Sequence, residues 1–325
     1  MKPIKAGIVG AAGYTGGELI RILLQHPFVE LIFISSRSQA GKKVFEVHDD
    51  LIGQSELVFT DAYPDTIDLD ILFLCLPHGH SKSFLEKANL SSNLKIIDLS
   101  NDFRLKLKAE QFIYGLPELN QSAIQSAQKI ANPGCFATAI QLALLPLAAS
   151  NLLKSDVHVS AITGSTGAGV ELSATTHFTW RNNNMSVYKP FTHQHLGEIY
   201  QSLQQLQPDF QHAVHFIPYR GDFTRGIIAT CYTDFEGDIE SAKKLYDDFY
   251  QSATFVHRSD SNINLKQVVN TNNCLLYLEV CNGKLMIISI IDNLIKGASG
   301  QAVQNMNLLM GWEETVGLQL KAAYF

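Results

Sequence analysis

The stretch AGIVGAAGYTGGELIRILL, residues 6–24, decides the fold. An apolar run at 6–9 leads into Gly10-Ala11-Ala12-Gly13-Tyr14-Thr15-Gly16-Gly17, and residues 18–24 then take up helical apolar spacing. Strand, glycine turn and helix in that order form the setting in which a glycine-rich turn binds a dinucleotide. The glycines let the backbone approach a pyrophosphate, and the helix N-terminus offers N–H donors and a favourable field. The spacing is GxxGxxG rather than GxGxxG, so the pattern also fits a βα turn with no ligand. Taken as a binding loop, it points to Gly10, Ala12, Gly13, Tyr14, Thr15 and Gly16 as cofactor contacts.

The next units extend the same pattern. Residues 31–34 form a second strand that runs into Ser35-Ser36-Arg37-Ser38. An NAD-binding unit carries an acidic residue here for the ribose hydroxyls. Hydroxyls and a guanidinium suit a 2′-phosphate instead, so NADP(H) is expected, with Ser35, Ser36 and Arg37 in contact. Arg37 taken alone fits a solvated loop with Lys42 and Lys43 nearly as well. Residues 71–76 are continuously apolar, as in a parallel strand buried on both faces. Pro77-His78-Gly79-His80 follows at the strand end where such sheets bind ligands, which adds Pro77 to the cofactor contacts. His78 and His80 lack a nearby Cys, Asp or Glu, so no metal is expected. A further strand at 94–99 precedes Ser100-Asn101-Asp102-Phe103-Arg104. Arg104 leaves the same sheet edge as a fixed positive charge suited to a phosphate or carboxylate, with an ion pair to Asp102 as the plainer alternative.

The chemistry centres on Ala131-Asn132-Pro133-Gly134-Cys135-Phe136-Ala137-Thr138-Ala139. Asn-Pro-Gly is a tight turn, and residues 136–147 are an apolar helix, so Cys135 sits in the first helical turn. Orphan N–H groups and the helix dipole stabilise a thiolate there, and the thiolate is the nucleophilic form. The plainer alternative is one more buried cysteine. A histidine is the usual partner of such a thiol, and His193 and His195 alternate in a loop just before Glu198, a carboxylate able to fix an imidazole tautomer. Surface histidines are the plainer alternative. A second glycine loop, Gly164-Ser165-Thr166-Gly167, either brings backbone N–H groups such as that of Gly167 to the cofactor or acts as a hinge. From residue 157 onward the pattern turns to consecutive strands, including a hairpin at Asn282-Gly283. An α/β chain is therefore expected: a Rossmann-like NADP-binding domain (1–134 and 298–325) and an α+β catalytic domain (135–297) with a mainly antiparallel sheet.

Composition excludes several classes. The 325 residues are 46% hydrophobic and 17% charged, enough for two ordinary cores. A net charge of -6 argues against nucleic acid or an anionic membrane as the main partner. No apolar run has the length of a membrane span, and Met1-Lys2-Pro3-Ile4-Lys5 carries no signal-peptide pattern. Five cysteines, an odd number with no CxxC, fit a reduced, cytoplasmic protein without zinc.

Taken together these segments resemble the N-acetyl-γ-glutamyl-phosphate reductase family, in the aspartate-semialdehyde dehydrogenase group. The resemblance runs nearly end to end. Its most specific piece is 130–139 continuing to Pro146. Ser35-Ser36-Arg37, Asp98-Leu99-Ser100 with Asp102-Phe103-Arg104, Tyr114-Gly115-Leu116-Pro117-Glu118, His193-x-His195-x-x-Glu198-Ile199 and Asp292-Asn293-Leu294-x-Lys296-Gly297-Ala298 also carry it. It implies NADPH-dependent reduction of an N-acyl-γ-glutamyl phosphate to the semialdehyde through a Cys135 thioester. His193 would serve as acid/base ahead of His195, Arg104 would hold the phosphate, Arg225 or Lys189 would meet the substrate carboxylate, and the enzyme would be a homodimer or homotetramer. Phe136-Ala137 stands where many members have Tyr-Pro. Gln194, Leu196 and Gly197 replace Arg, Thr and Pro, and Asn101 replaces Ala, changes able to reshape the acyl-group pocket. Another acyl-phosphate reductase of the group, or a catalytically silent NADP-binding regulator, is the alternative.

Overall fold

The computed structural model describes residues 2–65 and 67–325. Contacts divide the chain into one unit of Met1–Pro133 with Ala298–Gln319 and a second of Gly134–Gly297 with Leu320–Phe325. The tail 320–325, expected with the first unit, lies in the second. There Ala323 N donates to Val269 O and Asn270 Nδ2 donates to Lys321 O.

The first unit begins β1 (Ile4–Val9), α1 (Tyr14–Leu24), β2 (Val29–Ser35) and β3 (Ile71–Leu74). It continues through α2 (Ser81–Lys87), β4 (Lys95–Asp98), β5 (Ile113–Tyr114), α3 (Pro117–Gln125) and β6 (Lys129–Ala131). The strands order β2-β1-β3-β4-β6-β5, all parallel. All four residues of β3 are buried, which explains its unbroken apolar run. Strand order reverses at β1, between β2 and β3, and a crevice at such a switch point is where open α/β sheets bind ligands.

The second unit opens with α4 (Cys135–Ala149), β7 (Val157–Thr163), α5 (Phe178–Arg181), β8 (Ser186–Val187) and α6 (Leu196–Leu206). β9 (Val214–Arg220), β10 (Ile227–Asp234), α7 (Ile239–Tyr250), β11 (Val256–Ser259), β12 (Cys274–Cys281) and β13 (Lys284–Ile291) complete it. The chain then returns to the first unit as α8 (Gly300–Leu309), against α1 and α3. The second sheet orders β11-β12-β13-β10-β7-β9-β8. It is mixed with an antiparallel majority, because β7–β9 and β11–β12 run parallel. Asn282 and Gly283 both have positive φ, 50° and 69°, as a type I′ hairpin requires. The loop expected at 292–300 is wound instead. Residues 295–299 form a π-helical turn that runs into α8.

Helix α4 is apolar on every side and buried from Phe136 to Ala148. It packs against β10, β13, α6 and α7. Pro146 lies inside it and cannot donate to Leu142 O. Two tyrosines of α7 repair the break: Tyr250 Oη donates to Leu142 O at 2.6 Å and Tyr246 Oη to Ala143 O at 2.6 Å.

Candidate active site

Cys135 is the first residue of α4, after Gly134 in extended conformation. No side chain caps this helix end in the usual way. Instead Gly134 N donates to Glu198 Oε2 at 2.9 Å, so a buried carboxylate from α6 holds the turn in front of the thiol. From the other side Gly297 closes on it. A Cβ on Gly297 would lie 2.8 Å from Cys135 Cβ. Cys135 keeps partial exposure, whereas Cys231 is buried and burial pushes its thiol up to about 12.

The two imidazoles share this neighbourhood. The His193 ring lies 5.6 Å from the Phe136 ring and 4.6 Å from the His195 ring, and both histidines are buried. Burial, with the charges of Lys189 and Arg220 adding to it, depresses His193 to about 4, so the ring is neutral near pH 7. His195 N donates to His193 Nδ1 at 3.3 Å, so the neutral ring carries its proton on Nε2. His195 Nε2 stands 4.0 Å from Glu198 Oε1, too far for a hydrogen bond but close enough for the carboxylate to balance an imidazolium. The loop that presents His193 has two non-glycine residues at positive φ, Lys189 at 43° and Phe191 at 59°.

Burial, and then the charge of Cys135, pushes the Tyr188 phenol up to about 12. The Arg220 guanidinium lies 4.8 Å from the Tyr188 ring centroid, and that ring lies 5.7 Å from His193. Sequence reasoning singled out Lys189 and Arg225 for a substrate anion and missed Arg220 and Arg181. Arg225 instead pairs with the buried Asp292 at 3.0 Å. The only sequence signal for Arg220 was a second arginine flanking the same loop.

Arg104 is buried, with Nε donating to Asn132 O at 2.8 Å and Nη2 to Leu99 O at 2.8 Å. Asp102 does not pair with it but accepts from Gly79 N and Lys82 N, at 2.6 and 3.1 Å. Asn132 is a hub: its N donates to Asp98 O, its Nδ2 to Ala298 O, and its Oδ1 accepts from Asn305 Nδ2. Arg104 thus helps fix the chain three residues before Cys135, a duty not legible from its sequence position.

In the first unit the glycine turn fits a dinucleotide. Gly10 has φ +79°, and a Cβ there would strike Cys75 O at 2.6 Å; at Gly16 it would strike Ala11 O at 2.4 Å. At Gly13, by contrast, a Cβ would meet nothing within 4 Å, the open approach that a phosphate needs. No side chain caps α1 and no acidic residue lies in its first turn, so its first amides face an unfilled need for an anion. Ser35 O ties down the Gly10 and Ala11 amides, and Arg37 is exposed just beyond β2. Pro77 follows β3, beside β1 in the sheet. The second glycine loop is different. The amides of Ser165, Thr166 and Gly167 already donate to Phe223, Thr224 and Gly164 carbonyls, so they are not open donors as expected. Among the described residues no group of three His, Cys, Asp or Glu could hold a metal ion, and no helix is long and apolar enough to cross a membrane.

Comparison with known proteins agrees with this geometry. Residues 5–127 match the semialdehyde dehydrogenase NAD-binding domain, and residues 135–293 match the semialdehyde dehydrogenase dimerisation domain. The chain is 60% identical to N-acetyl-gamma-glutamyl-phosphate reductase of Christiangramia forsetii and 58% identical to that of Phocaeicola vulgatus, covering 99% of this chain and 100% of each relative. Among solved structures, aspartate semialdehyde dehydrogenase II of Vibrio cholerae superposes with a TM-score of 0.75 at 15% identity, over 96% of this chain and 99% of that one. The aspartate semialdehyde dehydrogenase of Candida albicans superposes with a TM-score of 0.72 at 14% identity, over 95% of this chain and 99% of that one, which extends the shared fold. With identity near 60% over almost its whole length and both domain models matched, the chain belongs to the N-acetyl-γ-glutamyl-phosphate reductase family of semialdehyde dehydrogenases.

Proposed function

We propose that this chain reduces N-acetyl-γ-glutamyl phosphate with NADPH to the semialdehyde and inorganic phosphate, in arginine biosynthesis. The observation that carries the reading is Cys135 at the first position of α4, with two buried imidazoles packed on the ring of the next residue, Phe136, in a chain 60% identical to a reductase of that name. Cys135 gives up its proton and its sulfur attacks the acyl carbon; a C–S bond forms and the C–O bond to phosphate breaks. His195, with the Glu198 carboxylate beside it, is the better acceptor for that proton. His193, neutral with its proton on Nε2, is suited to donate a hydrogen bond to oxygen or sulfur as charge develops. When bound, the reduced nicotinamide supplies the hydride that takes the thioester to the aldehyde level. Expulsion of the Cys135 thiolate then frees the product.

Gly10, Ala12, Gly13, Tyr14, Thr15 and Gly16 would cradle the pyrophosphate, and Ser35, Ser36 and Arg37 would meet the 2′-phosphate. Glu198 and Arg104 position the turn that delivers Cys135. The dimerisation-domain match supports a homodimer or homotetramer, and five cysteines without a disulfide support a reduced, cytoplasmic setting. The test is oxidation of N-acetyl-glutamate semialdehyde with NADP⁺ and phosphate, followed at 340 nm. Wild type should turn over and Cys135→Ser should lose activity by orders of magnitude while still binding NADPH. Sustained turnover in Cys135→Ser would end the thioester route.

A further inference from the structure

Two neighbouring arginines have no part in the steps above: Arg220, over the Tyr188 ring, and Arg181, over the Trp180 ring. Arg181 is 8% exposed. Its Nη1 donates to Arg220 O at 3.0 Å and its Nη2 to Thr175 O at 3.2 Å, while its Nε is buried without a partner. Arg220 Nε is likewise buried without a partner, and its guanidinium rests over the Tyr188 ring. Among the described residues neither guanidinium has a carboxylate within ion-pair distance. Asp222 reaches Arg181 only through its field, and its Oδ2 accepts from Asn183 N at 2.7 Å. Burial, and then the charge of Arg220, holds Arg181 below its ordinary range. A buried guanidinium next to a half-buried one, each with a buried Nε–H to spare, is costly in the absence of an anion. Arg220 sits on the ring that borders His193, and both arginines belong to the same unit as Cys135.

We propose that Arg220, backed by Arg181, binds the carboxylate that the substrate keeps throughout the reaction. The inference rests on the acyl-phosphate reading and names the subsite of that same centre. A planar guanidinium meets a carboxylate through two parallel N–H···O bonds, and stacking on Tyr188 fixes its plane. A carboxylate fits better than the phosphate, because the phosphate must depart once sulfur has attacked, and two neighbouring cations would retain a dianion. A carboxylate held at this distance from His193 also fixes which carbon the Cys135 sulfur can reach.

The oxidative direction separates the two anions, since the semialdehyde brings the carboxylate and phosphate enters on its own. Arg220→Met should raise KM for the semialdehyde roughly 10- to 100-fold and leave KM for phosphate unchanged. Arg220→Lys should recover part of the loss, and Arg181→Met should show a smaller rise. The bond between the arginines runs from the Arg181 side chain to the Arg220 main-chain carbonyl, so both Arg220 variants keep it and Arg181→Met loses it. A rise in KM for phosphate instead, or no change in either constant, overturns the assignment. A second measurement needs no turnover. N-acetyl-L-glutamine, which has one carboxylate and a neutral side-chain end, should slow iodoacetamide alkylation of Cys135 in wild type but not in Arg220→Met, and its methyl ester should protect neither. Equal protection in wild type and Arg220→Met overturns the proposal. Protection that depends on Arg220 in a protein inactive on acyl phosphates would sustain it and sink the functional reading instead.

Discussion

Replacing Gly297 by alanine tests how tightly the thiol is held. The Gly297 amide donates to Asp292 O at 2.9 Å within the π-helical turn. A Cβ on this residue would lie 2.8 Å from Cys135 Cβ and 3.3 Å from both Cys135 Cα and Asp292 O. Carbon atoms in contact prefer about 3.5 Å or more, so roughly 0.7 Å has to be found. Neither side gives easily. Cys135 begins a helix that is buried along its length, behind a turn bonded to Glu198, and the 295–299 turn is wound on the other side. Overpacking of this kind costs about 1–3 kcal/mol, which in a protein of this size lowers Tm by several degrees. The larger effect is on chemistry, because sub-ångström to ångström displacement of a reacting atom costs on the order of 10- to 100-fold in rate. We expect Gly297→Ala to keep NADPH binding, lose 10- to 100-fold in kcat, and change the rate at which iodoacetamide alkylates Cys135. Wild-type kcat and wild-type Tm together would refute the reasoning that Gly297 sets the position of the sulfur.

Four further outcomes are expected. His193 titrates near 4 in the folded protein against 6.5 ordinarily, so as pH falls the unfolded chain takes up the proton first. Its contribution is present above about pH 6.5 and is lost towards pH 4, up to about 2 kcal/mol between pH 7 and 5; urea melts should show His193→Gln losing less stability over that range than wild type, and an equal loss counts against the buried neutral ring. Glu198→Ala strands the buried Gly134 N–H and should cost about 1–3 kcal/mol in the same melts; Glu198→Gln keeps an acceptor and should restore most of that, whereas equal melts for the two would show that the Gly134 bond matters little. Gly13→Ala meets no protein atom within 4 Å and should leave Tm unchanged while raising KM for NADPH; Arg37→Ala should raise KM for NADPH more than for NADH, and equal shifts would remove Arg37 from 2′-phosphate recognition.

The nucleotide half of the molecule was legible because its signals are local. A glycine that needs φ +79°, an apolar run buried on both faces and a helix start without a cap are each set within a few residues of chain. The same locality made Cys135 visible, since Asn-Pro-Gly and the apolar helix after it are neighbours in sequence. What surrounds the sulfur was not local. Glu198 bonds Gly134 across 64 residues, and Asn305 reaches Asn132 across 173. Only the folded chain occupies the amides of the 164–167 loop, pairs Arg225 with Asp292 and, among the described residues, gives Arg220 and Arg181 no carboxylate within ion-pair distance, because a side chain's partners depend on which strands and turns come together. Sequence by itself determined that a thiol stands at a helix start beyond a parallel sheet that suits a nucleotide. Tertiary structure decided which charges face that thiol, since burial and distance set electrostatic strength and neither is written in residue spacing.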